Sequence, residues 1–299
     1  MLGFRNAGFL TLILLSTLLM GSSFPSAAVL LAAGADPLSL VSIRFLIATF
    51  VIWSLLAFPS IEDGEAVLWK QACLIGFFQT FGVMAPVHVA LESEAPPVVA
   101  AIVFSNVLMV AAYEMFTGRR QTTLALLIAI VLGVVGLILV TNLLAMPSSD
   151  DIKGSHIGVF LSLLAAVSWT FATLLSKHLK ITGGWRFNAQ QMLVGTICLI
   201  ALTFFWRGPT TWLPSSIDDT LWLLWLSIPA SVISFGLWFR ALALRSATEA
   251  SAWLAAVPAF AAVIAWLSLG SELTRLQLLG MGCIAAALYL QSRAARDRP

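Results

Sequence analysis

Ten apolar runs, most of them about twenty residues long and joined by short polar links, dominate this sequence and leave few folds open to it. Crossing the hydrocarbon core of a bilayer takes roughly 20 apolar residues in a helix. In that solvent every backbone N–H and C=O must be satisfied internally, so only helices and closed barrels can span it. The runs lack the period-two alternation of barrel strands. The expected fold class is therefore an all-α membrane protein of ten transmembrane helices.

Punctuation by proline, glycine and charge places the segments at 9–31, 38–58, 66–91, 97–116 and 123–144, then 157–179, 187–206, 220–244, 250–269 and 276–291. The first could be mistaken for a signal peptide, because Arg5 precedes it. It runs on to Leu31, past the roughly 7 to 15 apolar residues of such a leader, and nine more runs follow. The longest link, Met146 to Gly154, lies at the midpoint and divides the chain into two units of five segments, 1–145 and 155–299.

Composition agrees with a lipid solvent. Of 299 residues 60% are hydrophobic and 10% charged, against about 25% charged in soluble domains. A net charge of +2 without basic runs interleaved with aromatics gives nucleic acid no footprint. Cys73, Cys198 and Cys283 fall inside apolar segments at no metal-like spacing, and are read as packing residues without a disulfide. No metal or other cofactor is implied.

Charge reports topology instead. With a cytoplasmic N-terminus, twelve Lys and Arg collect on one face and only Lys153, Arg207 and Arg275 on the other. Positive residues stay inside, so both termini are expected in the cytoplasm.

The halves resemble each other. Arg44-Phe45-Leu46-Ile47-Ala48-Thr49 in the second segment parallels Gln191-Met192-Leu193-Val194-Gly195-Thr196 in the seventh, and the link from Ala90 to Ala95 parallels that from Ala243 to Thr248. Because five is odd, the second copy enters the membrane from the opposite side. Two inverted five-helix bundles around a central cavity are the usual basis of alternating access, with the site near mid-membrane.

Which side chains line that cavity is read from polar stripes that lipid would penalise. Ser227, Ser231, Ser234 and Trp238 repeat at intervals of 4, 3 and 4; Ser162, Trp169, Thr173 and Ser176 share a face of the sixth segment, and Ser16, Met20, Ser23 and Ser26 one of the first. Gln79, Gly82 and Pro86 lie on one side of the third. Single serines often do no more than let helices approach. A Trp or Gln at mid-membrane needs a partner or a cavity. The candidate substrate-binding residues are thus Gln79, Trp169, Trp238, Ser23, Thr173, Ser231, Ser234 and Asn106, with no catalytic residue and no metal ligand. Pro25, Pro86, Pro229 and Pro258 are candidate gating hinges, since proline frees the carbonyl one turn earlier; taken singly, each is better read as a static kink.

Three polar residues are set apart. His88, nine residues after Gln79, falls on the opposite helical face and near the outer end of its segment, as a satisfied or headgroup-level histidine. Arg44, two turns into its segment and within snorkelling reach, is expected as a structural anchor. Glu114 is expected to pair with Arg119 or Arg120.

The pattern resembles the drug/metabolite transporter superfamily in its EamA branch. The short links after the third and eighth segments, the Leu269-Gly270-Ser271-Glu272-Leu273-Thr274 turn, the glycines Gly133, Gly136, Gly280 and Gly282, and Trp169 carry the resemblance, which covers essentially the whole chain. Met20-Gly21 stands where the second copy has Trp169, and Gly118-Arg119-Arg120 where the family often has an acid. The resemblance implies a secondary transporter exporting small polar metabolites, amino acids foremost and aromatic ones among them, across the bacterial inner membrane, as in YddG-type exporters. It further implies a cavity among segments 1, 3, 4, 6, 8 and 9. Expected partners are a small-molecule substrate and the lipid bilayer, with no nucleic acid and a monomer or homodimer as the assembly. The scarcity of mid-membrane acids leans against obligatory proton coupling.

A membrane-embedded enzyme acting on a lipid-linked substrate is the alternative. Asp150-Asp151 and Asp218-Asp219 each follow Pro-Ser-Ser or Ser-Ile and precede an apolar run, where Ser and Asp serve as helix caps. No phosphate-loop, metalloprotease or nucleophile-elbow motif is present. A channel, the third reading, would call for filter rings or oligomeric symmetry.

Overall fold

The computed structural model describes residues 2–57, 69–118, 123–140, 152–181, 184–208, 212–245, 247–254, 256–270 and 274–296. Every regular element among them is helical. In chain order these are α1 (Leu2–Ala32), α2 (Pro37–Leu56), α3 (Trp69–Ala90), α4 (Pro96–Phe116, with a turn at Phe104 and Ser105), α5 (Leu124–Val140) and α6 (Ile152–His178). They continue with α7 (Trp185–Arg207), α8 (Ile217–Leu244), α9 (Ala247–Leu254), α10 (Val257–Leu269) and α11 (Arg275–Arg296). Among the described residues seven helices are long and apolar enough to cross a membrane, and shorter apolar helices accompany them.

Local chemistry sets the helix ends. Asp36 caps α2 by accepting from the Ser39 N–H at 2.9 Å, with Pro37 in the first turn, where its missing N–H costs nothing. Ser216 and Asp219 form a reciprocal capping box that starts α8, so the capping role expected of this acid pair holds. The pair Asp150-Asp151 and residues 146–151 of the midpoint link lie outside the described residues, while Ile152–Gly154, expected in that link, begin α6. Gly270, at φ 62°, ends α10 in the left-handed conformation that only glycine adopts cheaply.

Burial is inverted relative to a water-soluble protein. Phe50, Phe116, Phe160, Phe205 and Trp206 are exposed on the outside, whereas Arg44, Gln79, His88, Asn106, Asn188 and Gln191 are buried. This is the distribution a lipid solvent selects, with polar side chains turned away from hydrocarbon. The three cysteines are free, as expected, but Cys73 is exposed rather than packed.

The packing is paired. Helix α2 lies along α7 and α5 along α11; α1 packs on α8 and α10, and α6 packs on α3 and α4. Thr49 and Thr196, which occupy matching positions in the two sequence copies, touch each other across the α2–α7 contact with hydroxyl oxygens 2.9 Å apart.

Two helices depart from α geometry at mid-length. Residues Gly76–Phe81 of α3 and Ile228–Ile233 of α8 form π turns. Pro229 brings no N–H to the ladder, and Ser231 Oγ donates to Leu226 O, five residues back, at 2.7 Å. In α3, Ser168 Oγ of α6 donates to Phe78 O at 3.0 Å. It fits only because Gly82 leaves a notch: a Cβ there would lie 2.2 Å from Ser168 Oγ. Pro258, expected inside a helix, instead sits in the first turn of α10, because the ninth apolar segment is broken into α9 and α10. A proline is tolerated there without a kink.

Candidate functional site

A closed cavity lies where α1, α2, α3, α4, α6 and α8 converge. Its apolar wall includes Phe24, Phe104, Trp169 and Phe235, which form a run of edge-on and tilted rings: Phe24 to Phe104 at 5.9 Å, Phe104 to Trp169 at 4.9 Å and Trp169 to Phe235 at 6.5 Å between centroids. Aliphatic and thioether groups from Met20, Val83, Met84 and Val87 complete it. The polar contribution comes from Ser23, Arg44 and the backbone at Ala230. The free space is about 10 Å³, room for at most a single water. Admitting a solute therefore requires the surrounding helices to part.

Arg44 is the charged group of this wall. It is 1% exposed and does not snorkel to the surface. Its Nε donates to Ser231 Oγ at 2.8 Å and Nη2 to Ala230 O at 3.3 Å, so a helix of the first half is tied to the π turn of α8. The guanidinium also lies 5.0 Å from the Phe45 ring centroid, a cation–π contact that partly offsets its desolvation. Gln191, the matching residue of the second copy, does the reciprocal task and accepts from the Thr80 hydroxyl in the π turn of α3 at 2.6 Å.

His88 is fully buried rather than at headgroup level. Its Nδ1 is 2.8 Å from Met84 O and its Nε2 is 3.4 Å from Arg44 Nη1. A carbonyl can only accept and a guanidinium can only donate, so both contacts specify the tautomer with the proton on Nδ1 and a lone pair on Nε2. The face count from Gln79 assumed 100° per residue throughout, whereas both Gln79 and His88 are buried in a helix whose π turn includes Gln79. Glu114 interacts electrostatically with Lys177 of α6; Arg119 and Arg120, its expected partners, lie outside the described residues.

All eight candidate binding residues are buried. Ser23 and Trp169 belong to the cavity wall itself. Ser231 reaches it through Arg44, and Ser234 is engaged with Ala230 O at 2.7 Å. The other four, Gln79, Asn106, Thr173 and Trp238, are not in the wall of the closed cavity, yet each carries side-chain nitrogen or oxygen without a hydrogen-bond partner, as does Trp169 Nε1. A buried polar group left so costs about 1–3 kcal/mol, so each of these five side chains calls for an explanation beyond packing. Among the candidate hinges, Pro25 and Pro86 lie within α1 and α3, and Pro229 falls inside a π turn.

The sequence profile of the EamA-like transporter family matches the chain twice, over residues 8–142 and 156–293. The chain belongs to the EamA-like transporter family. Its relatives include an "Uncharacterized transporter" of Clostridium kluyveri, 24% identical over 80% of this chain and 78% of that protein. Another is the "Probable amino-acid metabolite efflux pump" of Escherichia coli, 25% identical over 88% of this chain and 87% of the pump. A crystal structure superposes with a TM-score of 0.66 over 94% of this chain and 98% of its own, at 15% identity, which bears on the fold alone. As an EamA-like transporter the chain is a multi-pass membrane protein, and its solutes are small molecules.

Proposed function

We propose that this EamA-like protein is a secondary transporter that exports small polar metabolites, amino acids foremost, across the bacterial inner membrane by alternating access, with both termini in the cytoplasm. In this reading it has ten membrane-crossing helices arranged as two inverted five-helix repeats, α9 and α10 together forming the ninth. The observation that carries the reading is a small, mainly apolar cavity walled by both halves and carrying one buried charge, with Arg44 of the first half bonded to the α8 π turn of the second.

Three further features support it. The family profile matches each half separately. Self-contact of equivalent residues, as at Thr49 and Thr196, is what a local twofold axis imposes. The π turns of α3 and α8 fall in helices that the repeat makes equivalent. The name of the Escherichia coli relative, a probable amino-acid metabolite efflux pump, supports the amino-acid class, and the Lys and Arg asymmetry supports the orientation.

The test is uptake of radiolabelled amino acids into liposomes holding the purified protein, with and without a pH gradient. Saturable uptake that falls at least about tenfold in Gln79→Ala and Trp169→Ala is expected, since each removes a group otherwise available to cargo. Absence of uptake for every amino acid, by protein shown to be folded, would overturn the amino-acid assignment.

A further inference from the structure

Arg44 has a peculiarity that a structural arginine would not show. Its one short hydrogen bond uses Nε, 2.8 Å from Ser231 Oγ. The terminal nitrogens have only long contacts: Nη2 to Ala230 O at 3.3 Å, Nη1 to His88 Nε2 at 3.4 Å and to Met84 Sδ at 3.9 Å. Good N–H···O bonds cluster near 2.9–3.0 Å, so the outer edge of the fork is held at the limit of bonding. No acidic side chain contributes to the cavity wall, and among the described residues no carboxylate lies within ion-pair distance of this guanidinium. A charge buried in a membrane protein without a counter-ion is costly and marks function.

We propose that Arg44 is the binding group for the carboxylate of the transported solute, and that the cavity selects organic anions with an apolar body over zwitterions and cations. This rests on the transporter reading above and, within its small polar metabolites, moves the preference from amino acids to net organic anions. A carboxylate placed on the Nη1–Nη2 edge replaces three long contacts by two short parallel bonds, the bidentate geometry that guanidinium matches best. Ser231 holds the Nε side and fixes the plane of the fork. His88, with its proton committed to Met84 O, turns only a lone pair toward Arg44; it is a positioning residue that orients the fork without supplying an anion. The ammonium of an amino acid finds no carboxylate in the wall, whereas an apolar body meets Phe24, Phe104, Trp169 and Phe235. A 2-oxo acid, an N-acylated amino acid or a similar net anion satisfies the single positive charge, and a zwitterion satisfies it less well.

Three molecules of one shape separate the terms: phenylpyruvate is anionic, phenylalanine zwitterionic and phenylalaninamide cationic without a carboxylate. Binding of each to the purified full chain in detergent is measured by calorimetry, followed by counterflow in liposomes. Phenylpyruvate is expected to bind tightest and phenylalaninamide at least about 30-fold more weakly, the loss typical of truncating one partner of a buried charge pair. Arg44→Gln is expected to abolish the preference for the acid, and Ser231→Ala to reduce it. If Arg44→Gln does not fold, the ranking on the unaltered protein and the Ser231→Ala variant still decide.

Equal binding of acid and amide, or an acid preference that survives in folded Arg44→Gln, overturns the proposal. So does failure of all three to bind while another solute undergoes counterflow, and in that case the transporter reading stands. Binding in the expected order with no counterflow of any solute leaves the anion site in place and sinks the transporter reading instead.

Discussion

The α3–α7 contact makes a prediction in which two identical substitutions have opposite signs. A Cβ on Gly195 would lie 2.3 Å from Thr80 Cβ and 2.4 Å from Thr80 Cγ2. Carbon atoms settle at about 3.5–4.0 Å, so Gly195→Ala forces α7 and the π turn of α3 apart by at least about 1.2 Å. That same displacement carries the Thr80–Gln191 hydrogen bond, now 2.6 Å, beyond bonding range. Overpacking costs about 1–3 kcal/mol, and the lost interhelical bond adds about 0.6 kcal/mol in a membrane setting. Higher helix propensity returns about 1 kcal/mol, leaving a net destabilisation of about 0.6–2.6 kcal/mol. Gly282 on α11 has nothing within 4 Å of its would-be Cβ, so Gly282→Ala keeps only the propensity gain and stabilises by up to about 1 kcal/mol. Reversible unfolding of both variants in mixed detergent micelles reads the difference. Shifts of the same sign, or an unchanged Gly195→Ala protein, would refute the close crossing and the bond that depends on it.

Two further outcomes follow from contacts already described. The pair Thr49→Cys/Thr196→Cys is expected to form a disulfide on mild oxidation, since the hydroxyl oxygens it replaces are 2.9 Å apart; because this contact lies on the proposed twofold axis, uptake should survive the cross-link, and its loss would place the moving interface between α2 and α7. Ser216→Ala removes one arm of the capping box at the start of α8 and should cost about 1 kcal/mol, seen as faster amide exchange at Asp219 and Thr220 with uptake unchanged; unaltered exchange there would argue against the cap.

The ends of the helices were legible because they depend on local chemistry. Pro37 and Pro96 begin helices within one residue of where the punctuation puts them, and α8 ends at Leu244 as expected. The π turns were not legible. An extra residue in a turn leaves no mark on hydrophobic periodicity, and what stabilises it is tertiary: Ser168 from another helix entering the notch at Gly82. The break between α9 and α10 escaped for the same reason, since an all-apolar run reads alike whether straight or interrupted. Within the site, the criterion of polar groups at mid-membrane found Trp169 and Ser23. It misplaced Arg44, because counting turns from a helix end gives depth but not direction, and a side chain that can reach the surface need not do so. A usable signal was present in the alignment of Arg44 with Gln191: both positions are polar in otherwise apolar helices, and each bonds a hydroxyl in the π turn of the other half.

A π turn stores one residue more than the α turn it replaces, and that surplus acts like slack in a gear train. Were residues Gly76–Phe81 to tighten to α geometry, everything beyond them in α3 would rotate by about 100° and advance by about 1.5 Å along the axis, sweeping Met84 and His88 past Arg44. The same winding of Ile228–Ile233 in α8 would carry Phe235 off Trp169. Each half thus holds, at the depth of the cavity, a turn whose tightening would re-aim its wall while α2 and α7 stay together.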